Sequence, residues 1–129
     1  MASILAANVT YTEKAGTAHR VAGARATGTQ RIFTLAFGDG ALTYTTGGIV
    51  LTLAKLGCTT RLSRLRVIAA TPATGDNNPE WEWDGNETSP KLVGYGSDSA
   101  NAGTTVPLAE LAATIAFTAQ SIQVEVEGY

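Results

Sequence analysis

Short segments in which apolar and polar residues alternate, separated by turn residues at short intervals, run through most of this chain. Side chains on a strand point alternately to opposite faces, so this period of two predicts strands, and helical periodicity is nearly absent. The clearest case is residues 121–127, where Ile122, Val124 and Val126 alternate with Gln123, Glu125 and Glu127. One face is expected to be buried and the other acidic and wet. Residues 31–37 set Phe33, Leu35 and Phe37 against Ile32, Thr34 and Ala36, a pattern suited to a central strand covered on both faces. Residues 61–70 begin with a basic outer face, Arg64 and Arg66, and end apolar, which reads as a strand entering the core. Their arginines are expected to meet carboxylates across strands, with Glu125 and Glu127 available. Residues 80–84 and 91–95 read as a hairpin around the turn-rich GNETSP, with Trp81 and Trp83 on one face. GSDSANAGTT, after Tyr95, reads as a mobile surface loop.

Many short strands at this spacing predict an all-β, antiparallel domain of sandwich, jelly-roll or barrel type. The stretch GDGALTYTTGGIVLTLAKLG, residues 38–57, sets glycine corners around an apolar strand, and Gly38, Gly40, Gly47 and Gly48 read as turns rather than a ligand cradle. Residues 1–30 behave differently, since 15–30 are mostly small residues, glycine, threonine and scattered positive charge. That segment is expected to be an extended N-terminal arm or a loosely packed edge, with the β-domain proper spanning 31–129. Lys14, His19, Arg20, Arg25 and Arg31 make it basic, whereas the C-terminal part is acidic, an asymmetry that suits contact with a neighbouring molecule.

Composition narrows the class. The 129 residues suffice for one domain. Hydrophobic residues make up 44% and charged residues only 16%, below the roughly 25% of average soluble domains. A weakly charged surface of this kind suits a protein covered by neighbours, and equally an ordinary small β-domain. The net charge of −2 speaks against a strong general attraction to nucleic acid. No run approaches the ~20 apolar residues of a membrane helix, and the N-terminus has no secretory pattern, so a cytoplasmic site of synthesis is expected. Cys58 is the only cysteine, which excludes an internal disulfide and reads as a small buried apolar residue. The Asn8-Val9-Thr10 and Asn86-Glu87-Thr88 sequons read as chance matches.

Candidate chemistry is sparse. His19 is the sole histidine and has no nucleophile motif beside it, so a Ser-His-Asp arrangement has no support. Glu80, Glu82 and Asp84 beside two tryptophans suggest a sugar cleft, but alternation puts the acids on one face and the rings on the other. Gly38-Asp39-Gly40 lacks the remainder of a dinucleotide or phosphate loop, and Asp76-Asn77-Asn78 lacks the spacing of a calcium loop. No catalytic residue, metal ligand or cofactor site is expected.

The order GALTYTTGGIVLTLAKLG, LSRLRVI, WEWD, AELA and VEVEGY, spread over residues 37–129, resembles a family of small tailed-bacteriophage virion proteins, the capsid decoration or cement proteins. The resemblance implies a jelly-roll-like β-sandwich on the outside of an icosahedral shell, a homotrimer or homodimer clamping adjacent major capsid protein subunits, with no role for nucleic acid or membrane. The stretch 15–29 departs from the family pattern in its alanine, glycine and threonine content. Under this reading Tyr11, Arg20, Arg25, Trp81, Trp83 and Tyr95 are the residues expected to face a partner, aromatic and arginine side chains being the usual anchors of an interface. A tail or neck component of the same kind of virion, or a carbohydrate-binding β-module using the aromatic hairpin, are the alternatives.

Overall fold

A computed structural model of the protein describes residues 2–14, 19–20, 29–71, 79–96, 109–111 and 119–129, and for residues 19, 20, 29 and 71 the backbone only. The order of strands is β1 (Thr10–Glu13), β2 (His19–Arg20), β3 (Thr29–Phe37), β4 (Ile49–Val50), β5 (Leu62–Thr71), β6 (Glu80–Trp83), β7 (Lys91–Gly96), β8 (Ala109–Glu110) and β9 (Gln120–Gly128). No α-helix occurs among the described residues, and the only helical pieces are 3-10 turns at Ala6–Asn8 and Leu53–Leu56. Every pair among the described strands is antiparallel, with one isolated parallel bridge between Ser3 and Thr43. One sheet runs β1-β3-β9-β5, with β2 also on β3, and the other runs β4-β7-β6, with β8 also on β7. The last strand therefore enters the middle of the first sheet, between β3 and β5, both of which end well before it in the chain.

The alternation read from the sequence places the core. Phe33, Leu35 and Phe37 of β3 and Ile122, Val124 and Val126 of β9 are buried together, joined from the second sheet by Ile49, Trp81 and Leu92. Phe37 and Trp81 pack edge to face, ring centroids 5.2 Å apart at 83°, so the two sheets share this core. Each aliphatic side chain so buried contributes about 1.5–3 kcal/mol relative to exposure. Between β3 and β4 the chain turns at Gly47 and Gly48, whose φ angles of 90° and 112° lie in the left-handed region that favours glycine. Gly48 leaves no room for a side chain, since a Cβ there would stand 3.0 Å from Lys91 Cβ and 3.1 Å from the Leu92 carbonyl oxygen.

Three expectations are corrected. The outer face of β9 is not simply wet: Glu125 is only 9% exposed, because β3 and β5 flank it and Gln30, Arg64 and Arg66 close over its carboxylate. The apolar end of β5 does not enter the core, since Ile68 is 44% exposed and Ala69 and Ala70 are exposed too. A bulge explains it: Val67 pairs with Val124 and Ala69 with Gln123, leaving Ile68 as an extra residue outside the ladder. The start of the chain, through residue 14, is built into the domain rather than extended from it. Ile4 and Val9 lie in the core, the Ile4 amide donates to the Thr43 carbonyl and the Thr43 amide to the Ala2 carbonyl, and β1 pairs with β3 from Thr10 to Glu13. Of residues 15–28, only β2 is described. The loop expected after Tyr95 and the Asp76-Asn77-Asn78 turn lie outside the described residues.

Candidate interaction surface

Of the six residues expected to face a partner, the four whose side chains are described do not form one patch. Trp81 is 5% exposed and packs against Phe37 and Tyr44, so it is a core side chain rather than an exposed anchor. Trp83 is half-buried, its indole N–H donating to the Asn86 carbonyl at 3.2 Å across the hairpin turn. Tyr95 is half-buried on β7, opposite Glu80 on one side and Glu110 on the other. Tyr11 belongs to the other sheet: its hydroxyl accepts from the Thr52 amide at 2.8 Å, and Lys55 Nζ lies 5.7 Å from its ring. Burial of that ring raises its hydroxyl pKa, with the Thr52 contact opposing. Arg20 is placed by its backbone alone, opposite Thr29, and Arg25 lies outside the described residues.

The hairpin's acidic residues divide by task. Asp84 Oδ1 accepts from the Asn86 and Lys91 amides, at 3.0 and 3.1 Å, and Asn86 Oδ1 accepts from Thr88 and Ser89. These contacts hold the turn, which is how GNETSP folds locally. Glu80 and Glu82 stand exposed on the face opposite Trp81. Among the described residues no group of three His, Cys, Asp or Glu side chains could hold a metal ion, and no helix is long and apolar enough to cross a membrane. Cys58 is buried, and that burial pushes its thiol pKa up against the opposing pull of Arg31.

Two polar clusters organise the sheets, the first with no signal in the sequence and the second anticipated there in its arginine–glutamate pairs but not in Gln30. The fully buried Tyr44 donates its hydroxyl to Glu110 at 2.9 Å and accepts from the Gly94 amide at 3.2 Å, while the Gly47 amide donates to the same Glu110 oxygen. One carboxylate on β8 thus fixes a core tyrosine and the glycine corner. Burial raises the Tyr44 pKa, the Gly94 contact opposes, and the Glu110 charge adds to the rise. The second cluster crosses three strands. Glu125 Oε1 accepts from Gln30 Nε2 at 2.6 Å and Arg64 Nη2 at 2.9 Å, Oε2 accepts from Arg66 Nη2 at 2.9 Å, and Arg64 also reaches Glu127 at 3.1 Å. Burial alone would raise the Glu125 pKa, but the Gln30 amide and the two guanidiniums outweigh it and hold the carboxyl below its ordinary range. The Arg64 and Arg66 partners are those the alternation anticipates, while Arg61 pairs instead with Glu87 at 3.4 Å.

Register divides the outer face of the first sheet into unlike halves. At one end the rows are Ile32, Glu125, Arg66 and Gln30, Glu127, Arg64 across β3, β9 and β5. At the other end, Thr12, Thr34, Gln123 and Ala69 form one row across all four strands, with Thr10, Ala36 and Ser121 beside it. These seven side chains are small or uncharged; Thr10, Thr12, Ala69 and Ser121 are exposed, and Thr34, Ala36 and Gln123 are half-buried. No family model, curated protein or solved structure matches the chain.

Proposed function

We propose that this chain is a non-enzymatic virion structural protein that decorates the outside of a bacteriophage capsid and stabilises it by bridging major capsid protein subunits. In this reading the two sheets form a jelly-roll-like sandwich and the protein associates as a homotrimer or homodimer. The observation that carries it is the uncharged half of the first sheet's outer face. A flat surface of threonine, alanine, serine and glutamine lets a second protein approach to sheet-packing distance, ~10 Å, without stripping water from any charge. Spread over many copies, such contacts resist separation of neighbouring shell subunits with no new covalent bond. A standard interface buries about 800 Å² on each partner, so docking would extend beyond these two rows.

The test is to measure the mass of the purified protein by light scattering and then its copy number on undecorated shells. A trimer or dimer that binds at a fixed ratio and raises the shell's disruption temperature is expected. Thr34→Lys, at the centre of the uncharged face, should abolish docking while leaving the unfolding midpoint nearly unchanged. A monomer that ignores the shell overturns the reading. The tryptophans favour it over a glycan-binding module, because Trp81 is buried and Trp83 is tied to its own turn.

A further inference from the structure

On the side of the molecule where β5 and β6 meet, the two sheets leave a groove lined by Val67, Ile68, Ala70, Pro79, Trp81 and the rim acids Glu80 and Glu82. We infer that this groove receives an extended segment of a partner protein, one carrying lysine or arginine on either side of an apolar residue. Three observations converge on that chemistry.

The first is charge. Every other acidic side chain among the described residues has a partner: Glu13 has Arg31, Glu87 has Arg61, Glu125 and Glu127 have Arg64, Glu110 has Tyr44, and Asp39 and Asp84 accept backbone amides. Glu80 and Glu82 alone have none, although they sit two residues apart on one face of β6, about 6.5–7 Å along the strand. That spacing matches cations at alternate positions of an extended chain. The second is the bulge. It turns Ile68 out of the ladder and leaves a β-branched apolar side chain exposed in the groove's lining, available to the apolar residue that alternates with the cations of an extended segment. The third is the backbone. Among the described residues β6 ends its sheet and pairs only with β7, so no described strand covers its outer edge, the kind of edge to which an extended segment can add. The bulges of β5 make that strand the poorer template, which assigns pairing to β6 and side-chain contact to β5.

This inference does not depend on the capsid reading. Its test is a titration of the isotope-labelled full chain with a capped Lys-Val-Lys-Val-Lys peptide, followed by amide chemical shifts, with Glu-Val-Glu-Val-Glu as control. The basic peptide should give saturable shifts centred on residues 67–70 and 80–83, weakened by salt, and the acidic one none. Glu80→Lys with Glu82→Lys should weaken binding at least about tenfold, and Ile68→Ser should weaken it with the charges intact. All three positions are exposed, so the variants are expected to fold, which the unfolding midpoint verifies. The inference is overturned by no saturable shifts, by shifts centred elsewhere, or by binding indifferent to the charge reversal. It is likewise overturned if the peptide has no effect and the same substitutions dissociate a self-associated form, which would assign the groove to a second copy of this chain.

Discussion

Tyr44 shows how one side chain can be core and polar at once. Its ring is fully buried, yet its hydroxyl is placed between a carboxylate on β8 and an amide on β7. Tyr44→Phe keeps the packing but leaves the Gly94 amide without that acceptor, so a loss of about 1–3 kcal/mol is expected, read from the urea midpoint. No change would mean that the hydroxyl contacts are incidental. Gly128 is a second single-residue constraint of a different kind. A Cβ there would stand 2.5 Å from Cys58 Sγ and 2.6 Å from the Arg61 carbonyl oxygen, distances no real side chain tolerates. Because one obstacle is backbone, Gly128→Ala must displace β5 from β9, at a cost of roughly 1–3 kcal/mol. Unaltered thermal unfolding of that variant would show that the two strands yield easily.

At the scale of elements, the ladder β3-β9-β5 is locked by a charge cluster as well as by its backbone. The Glu125 pKa is lowered on folding, so its stabilisation is fully present above the ordinary carboxylate value of 4.5 and is lost as pH falls through the lower folded value. Glu125→Gln should therefore be less stable than the native chain at neutral pH, and the gap in unfolding midpoint should close as the solution is acidified below pH ~4. A gap that does not change with pH would assign the loss to shape rather than charge. The bulge at Ile68 belongs to this scale too, since one extra residue in β5 decides which face the end of the strand presents.

Across the whole molecule, the first residues of the chain matter more than their composition suggests. Ile4 is 1% exposed and Val9 3%, and both belong to the cluster that joins the sheets. Were residues 1–30 the extended arm that their composition suggests, trimming those before Tyr11 would leave the domain's stability intact. With two core side chains in that stretch, a clear fall in the unfolding midpoint is expected instead, with Ile4→Ala alone costing about 2–5 kcal/mol. A trimmed protein as stable as the full chain would show that the cluster closes without them.

What the sequence determined by itself was local. The strands around Phe33, Trp81, Leu92 and Val124, the all-β class and the glycine corner at Gly47 and Gly48 follow from side-chain alternation and from backbone angles that only glycine adopts readily, both properties of a few consecutive residues. What the tertiary structure decided was which face each strand covers and what each polar group meets. Glu125 looked solvated because its neighbours Gln30, Arg64 and Arg66 are about sixty to ninety-five residues away, and Tyr44 and Glu110 are sixty-six apart. Trp81 and Trp83 were alike in sequence, and only the approach of Phe37 from the other sheet made Trp81 a core residue. Ile4 and Val9 gave no period that marked them for burial, because they are held by a strand edge and a turn formed far along the chain. Burial depends on what the rest of the chain brings alongside, which no local pattern encodes.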